Sequence, residues 1–262
     1  MAVKNSLSQT RTVALVIPAR NEAPRLPHVL EIVTSNPTAI FDEIIVVNDC
    51  SADATAATTR QFRGVRLVSL DDGQPGKGRA LQAGWRQSTA DVIVTCDADL
   101  GSIQHEQLNS LVNALVNQQQ LRLTKAAYGN HADSSGRVTE LTAKPLLEVF
   151  FPDCADIQSP LSGEMAFYRT AVESLDLPQD YGVDIAILLD LAKRHGRSSI
   201  AEIPFGTKKH PHQPLSSLSI QSRQVIRAIL ERVERLHGDL EDAIRTPSIS
   251  HLLKVSSALG NY

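Results

Sequence analysis

A near-continuous apolar, β-favouring run, Val92 to Cys96, leads directly into two carboxylates, Asp97 and Asp99. Continuous rather than alternating apolarity reads as a parallel strand buried on both faces. Two unpaired carboxylates cannot stay in such a core, so the strand must end at a surface. In open α/β sheets, ligands bind at the carboxyl ends of the strands. Hard oxygen ligands at that edge suit Mg²⁺ or Mn²⁺, and such a metal suits a diphosphate. Taken alone, Asp97-Ala98-Asp99 is equally well explained as an acidic turn, so the rest of the chain has to decide.

The preceding residues repeat the pattern. Thr12 to Pro18 is an apolar run, and Pro18 is expected to end its ladder. A helix over Leu26 to Thr34 follows. Asp42 to Asp49 is a second strand with a polar tip, and either Ser51 or Asp53 caps the helix after it. Val65 to Leu70 is a third strand, Gly73 to Gly78 a loop, and Arg79 to Ser88 a helix. Strand–helix alternation of this kind implies a parallel sheet with covering helices and right-handed connections.

Further on, Ile103 to Gln119 reads as a helix, Arg122 to Ala127 as a strand, and Tyr128 to Gly136 as a polar loop. Val138 to Val149 has helical character that Pro145 interrupts. Leu161 to Tyr168 reads as a strand, and Tyr181 to Asp184 leads into a helix ending near His195. Ile200 to Pro204 is a short strand, Gly206 to Pro214 a basic, His-rich loop, and Leu218 to Gly238 a long amphipathic helix. That helix suits a homodimer interface or a core contact equally.

With 42% hydrophobic and 21% charged residues the chain is ordinary for a globular protein, and its net charge of −3 argues against a nucleic-acid or membrane surface. No apolar run reaches membrane-spanning length, and the polar N-terminus lacks the apolar centre of a signal peptide. Cys50, Cys96 and Cys154 have neither metal nor redox spacing, which suits reduced thiols in a cytoplasm.

Four polar clusters are expected at one sheet edge: Pro18 to Glu22, Asp49 to Asp53, Gly76-Lys77-Gly78 and Asp97 to Asp99. Helix N-termini and backbone N–H groups gathered there suit a nucleotide, and Lys77 between two glycines can approach an anion closely. The chain has no P-loop pattern and no Gly-x-Gly-x-x-Gly after its first strand. The second half adds three candidates. Glu164, after Ser162-Gly163, is expected to point into the cleft. Asp184 begins a helix, where a helix-terminus charge is its plain alternative. His210, within Lys208 to His212, is a candidate metal ligand beside two lysines suited to an anion.

Val16 to Glu22, Val46 to Asp53 and Asp97-Ala98-Asp99 together resemble the nucleotide-sugar half of GT-A glycosyltransferases. Gly136 to Leu141, Pro145-Leu146-Leu147, Leu161 to Glu164, Tyr181 to Asp184 and His210 narrow the resemblance to glucosyl-3-phosphoglycerate synthases, from about Val13 to Val233. The resemblance implies an α/β GT-A fold: a mostly parallel central sheet with helices on both faces, a Rossmann-like nucleotide-binding half (12–125), an acceptor-binding half (126–215) and C-terminal helices (216–262), after a leader (1–11).

It also implies a retaining, metal-dependent transfer of glucose from a nucleotide sugar, typically UDP-glucose, to the 2-hydroxyl of 3-phosphoglycerate, in compatible-solute or glucosylglycerate synthesis. By resemblance, Pro18, Ala19, Asn21, Glu22 and Ser51 hold the nucleoside, and Lys77 faces the diphosphate. Asp97, Ala98 and Asp99 serve the ribose and metal, with Asp99 and His210 as the protein ligands of Mg²⁺ or Mn²⁺. Gly136, Arg137, Val138 and Thr139 bind the acceptor. Glu164, Tyr181 and Asp184 surround the transferred sugar, with Glu164, Asp184 and Lys77 the catalytic candidates. Lys208 and His212 complete the acceptor site. The family usually has Glu at Asp184, Arg at Lys208 and Asn at His212; Arg to Lys loses bidentate anion recognition. An inverting GT-A transferase with another acceptor and a catalytically silent nucleotide-sugar-binding regulator are the competing readings.

Overall fold

The computed structural model describes residues 11–35, 40–101, 103–129, 136–207 and 214–238. One seven-stranded sheet has the order β3-β2-β1-β4-β6-β5-β7. Its strands are β1 (Val13–Ala19), β2 (Glu43–Asp49), β3 (Val65–Leu70), β4 (Val92–Thr95), β5 (Leu123–Tyr128), β6 (Met165–Tyr168) and β7 (Ile200–Gly206). β6 runs antiparallel to both neighbours; the other pairings are parallel. The helices are α1 (Leu26–Ser35), α2 (Thr55–Thr59), α3 (Lys77–Arg86), α4 (His105–Asn117), α5 (Lys144–Phe150), α6 (Arg169–Val172), α7 (Val183–His195) and α8 (Leu215–His237). The fold is the expected α/β arrangement with a mostly parallel sheet.

Alternation along each strand feeds two cores. Ala14 and Val16 of β1 join Ile45, Val47 and the buried faces of α3, α7 and α8. Leu15 and Ile17 join Leu26, Val29 and Leu30 of α1 and Leu108 and Leu111 of α4. α7 is buried nearly all round because it lies between the sheet and α8. The apolar stripe of α8 turns inward onto this core through Val225, Ala228, Ile229 and Val233.

Three expectations need correction. β1 continues through Pro18 to Ala19. Beyond Val16 it has lost β4 as a neighbour and pairs only with β2, so the missing N–H of Pro18 costs no ladder bond on the open side. The strand expected from Leu161 begins only at Met165. Pro145 does not break a helix: a π-helical turn over Thr139–Ala143 precedes α5, which starts at Lys144 and places Pro145 in its first turn, where no amide donor is needed.

The antiparallel β6 matters for the site. A parallel strand brings its carboxyl end to the edge where β1, β2 and β4 finish; β6 brings its amino end there, so Ser162, Gly163 and Glu164 arrive beside Asp97.

Candidate active site

The loop after β1 is tied to the loop after β2. The Asn21 amide donates to Ser51 Oγ at 3.0 Å, the Ala52 amide to Asn21 Oδ1 at 2.8 Å, the Glu22 amide to Thr55 Oγ1 at 2.9 Å and the Ala23 amide to Asp53 Oδ2 at 3.1 Å. Asn21 and Cys50 adopt positive φ, 57° and 53°, a strained conformation that these bonds hold in place at Asn21. Neither residue expected to cap α2 does so: the N-cap is Ala54, which makes no side-chain cap bond, Asp53 one residue earlier accepts the Thr55 amide at 2.9 Å, and Ser51 is spent on the inter-loop tie.

Two adjoining cavities open at this edge. Pro18, Ala19, Glu22, Lys77, Asp97, Ala98 and Asp99, seven of the nine residues expected for the nucleotide sugar, border one of about 290 Å³. Asn21 and Ser51 do not line it; they brace its floor. Gly136, Arg137, Val138, Thr139, Tyr181 and Asp184, expected around the acceptor and the transferred sugar, border the other, about 180 Å³. Lys77, Asp97, Asp99 and Tyr181 belong to both walls. Lys208, His210 and His212 lie outside the described residues, as does His131 of the polar loop.

Lys77 joins the halves. Its Nζ lies 2.7 Å from Asp184 Oδ2 and 2.9 Å from Asp97 Oδ1. Burial alone would discharge the ammonium, but Asp184 and Asp97 outweigh it and hold the lysine well above its usual pKa. Burial pushes Asp184 upward, resisted by Lys77 and Lys125. A Cβ on Gly163 would stand 2.5 Å from Asp97 Oδ1 and 2.7 Å from Lys77 Nζ, so a glycine there is what lets β6 approach the triad.

The glycines around Lys77 have a different use from the one expected. A Cβ on Gly76 would meet the Gln179 carbonyl at 2.3 Å, and one on Gly78 the Pro178 carbonyl at 2.1 Å. The Gly78 and Arg79 amides donate to the Asp180 and Gln179 carbonyls, and the Gly76 amide to Asp49 Oδ2. The Gly78 and Arg79 N–H groups clamp α3 to the segment before α7, the Gly76 N–H ties its start to the end of β2, and the three do not form an open anion cradle.

Glu164 also departs from expectation. It is 0% exposed and borders neither cavity; Tyr128 Oη donates to its Oε2 at 2.8 Å. Behind it stands Lys125, also 0% exposed, with Nζ donating to the Ser162 carbonyl at 2.8 Å and approaching Met165 Sδ at 3.0 Å. Burial lowers its pKa to about 8. The sequence carries one signal for Lys125, a lone charge inside an otherwise uncharged strand. Nothing comparable marks Tyr128.

Two polar atoms point to a ligand. Ser162 Oγ and Asp184 Oδ1 are buried without a hydrogen-bond partner among the described residues, in side chains that border the smaller cavity. Asp99 also makes no hydrogen bond or ion pair among the described residues, yet borders both cavities. Burial raises the pKa of Glu22 against its bond to Arg25, and the Asp99 charge raises it further. A hard, unengaged oxygen donor in a locally negative field fits a divalent cation. Among the described residues no three His, Cys, Asp or Glu side chains gather as a ligand set; His210, the second ligand expected, lies outside them.

Comparison with known proteins agrees with this geometry. Residues 14–130 match the family model described as glycosyl transferase family 2. Glucosyl-3-phosphoglycerate synthase from Petrotoga mobilis is 32% identical over 256 residues, covering 91% of this chain and 78% of that one. The crystal structure of the Mycobacterium tuberculosis enzyme with Mn²⁺, UDP-glucose and phosphoglyceric acid superposes with a TM-score of 0.79, covering 85% of this chain and 80% of that one. The same enzyme has also been solved with Mg²⁺ and UDP. With that mycobacterial synthase 34% identical over 239 residues, 85% of this chain and 74% of the relative, the chain belongs to the glucosyl-3-phosphoglycerate synthase family of glycosyltransferases.

Proposed function

We propose that this chain transfers glucose from UDP-glucose to the 2-hydroxyl of 3-phosphoglycerate with retention at the anomeric carbon. The observation that carries the reading is the wall of Lys77, Asp97, Asp99 and Tyr181 shared by two adjoining cavities. A donor in the larger cavity brings its anomeric carbon to that wall, and an acceptor in the smaller one meets it there. The mycobacterial complex with UDP-glucose and phosphoglyceric acid supports both choices.

Asp99 is the described residue that would hold Mg²⁺ or Mn²⁺; when bound, the ion neutralises charge on the departing diphosphate. Lys77 spends two donors on Asp97 and Asp184, and its third is available to a phosphate oxygen. Arg137 and Thr139 receive the acceptor's anionic groups. The orphaned Oδ1 of Asp184 accepts the acceptor's 2-hydroxyl and aims it.

Retention is assigned to same-face attack. The bond from the anomeric carbon to the diphosphate oxygen breaks, the bond to the acceptor oxygen forms on that face, and the hydroxyl proton passes to the departing diphosphate. The burial of Glu164 and the clamping of Asp184 by Lys77 support this over a carboxylate nucleophile.

The test is a transfer assay with purified chain, Mg²⁺ or Mn²⁺, a panel of UDP- and GDP-sugars and D-3-phosphoglycerate, read by nucleoside diphosphate release, product mass and anomeric configuration by NMR. An α-glucosyl product from UDP-glucose is expected. A β product would favour the inverting reading, donor hydrolysis alone would remove the acceptor, and tight donor binding without turnover would favour the regulator.

A further inference from the structure

A further concavity, of about 570 Å³, lies at the opposite edge of the sheet. It is bordered by Arg11 before β1, Arg122 before β5, Tyr168 and Arg169 after β6, and Arg194 and His195 at the end of α7. α7 begins at the active site with Asp184 and ends here, and its 13 residues separate the two places by roughly 20 Å.

Its positive charge is only partly offset, by the Asp91 carboxylate and by the pairing of Arg169 with Glu173. Arg122 spends Nη1 on the Gln119 and Leu121 carbonyls at 2.7 and 2.8 Å, and Arg194 reaches Ser174 Oγ at 2.8 Å. Arg11 stacks on Tyr168, 4.5 Å from the ring centroid, a geometry that leaves the guanidinium edge open for hydrogen bonds. None of these three makes an ion pair among the described residues; Arg169 alone does, with Glu173. The carboxylate that borders the concavity, Asp91, is engaged by the Thr12 amide and hydroxyl at 3.0 and 3.2 Å.

Cations at a helix C-terminus are stabilised by the helix dipole, which accounts for Arg194 and His195. It does not account for Arg11 or Arg122, which come from other elements and converge on the same space. In a chain of net charge −3, these guanidiniums make a locally positive surface, which attracts an anion. The imidazole of His195 registers this field: burial, then the Arg122 and Arg194 charges, hold its pKa below the usual value.

We propose that this concavity is a binding site for a compact phosphate-bearing anion, distinct from the transfer site. Guanidinium forks match phosphate oxygens in pairs, and several directed at one space suit a dianion better than a single carboxylate. The volume exceeds what inorganic phosphate needs and lies within the range of small-metabolite pockets. Free phosphate and a phosphate monoester share this chemistry.

The test is an NMR titration of the full chain with inorganic phosphate and, separately, with glycerol phosphate, at constant ionic strength against a chloride control. Saturable shifts of the amides of residues 168–171 and 194–196 are expected. The double variant Arg122→Ala, Arg194→Ala should weaken binding roughly tenfold or more, as loss of charge-assisted hydrogen bonds requires, whereas Arg137→Ala at the transfer site should leave it unchanged. Tighter binding of glycerol phosphate would assign a phosphorylated metabolite, and equal binding phosphate itself. Shifts that never saturate or that chloride reproduces, binding indifferent to the double variant, or binding lost in Arg137→Ala alone would overturn the proposal. Arg194 is exposed, so Arg194→Ala alone carries the test should the double variant not fold.

Discussion

Glu164 and Lys125 are where single residues depart most from what their sequence neighbours suggest. A carboxylate after Ser-Gly reads as a cleft group; in the fold it accepts a hydrogen bond from Tyr128 and sees no solvent. Glu164→Gln keeps an acceptor for that hydroxyl, so kcat should fall by less than roughly tenfold, whereas loss of a nucleophile costs orders of magnitude more. Steady-state kinetics with the product's anomeric configuration checks this. Lys125 makes a pH prediction. Its pKa in the folded chain is about 8 against 10.5 for an ordinary lysine. The folded state therefore binds fewer protons between those values, and its stability rises with pH across that window. Lys125→Met removes the titration. Urea denaturation of both chains should find wild type gaining on the variant by about 2 kcal/mol between pH 8 and pH 10; a constant difference would mean that Lys125 does not titrate there. Lys125 was legible as an anomaly, one lysine among apolar strand residues. Its carbonyl and sulfur partners were not, because Ser162 lies just before β6 and Met165 opens it, and the local pattern does not encode the direction of that strand.

Among elements, α3 shows how a motif can be found and its use misread. Gly76-Lys77-Gly78 was visible as a glycine-flanked lysine, and such glycines commonly admit an anion. Here they admit backbone: α3 begins against the Pro178–Asp180 carbonyls. Gly78→Ala would drive a methyl into the Pro178 carbonyl, and backbone on both sides has little room to yield. A destabilisation of about 2 kcal/mol or more is expected, read as a lower urea midpoint, with weaker donor binding because Lys77 moves with the helix start. β1, β2, β4 and their tips were readable because short continuous apolar runs rich in Val and Ile between turn signals favour buried strands. The reversal of β6 was not, since a four-residue apolar strand looks the same in either direction.

For the whole molecule, the metal should be a partner in catalysis and not a support of the fold. The two cores close on apolar side chains. Chelation should abolish transfer, and Mg²⁺ or Mn²⁺ should restore it, while the melting temperature without donor moves little; calorimetry beside the assay checks both. A large fall in melting temperature on chelation would instead mean a structural ion. The amino-acid sequence by itself determined the α/β class, the polar tips of β1, β2 and β4 and the family, because hydrophobic period, turn chemistry and short motifs are local properties. Only the tertiary structure decided that Lys77 lies between Asp97 and Asp184, that Glu164 is buried against Tyr128, and that arginines from separate elements gather at the far edge. Asp184 is more than a hundred positions from Lys77 in the chain. Their contact depends on how β6 and α7 pack against the first half of the sheet, and that packing is a sum over both cores that no local pattern records.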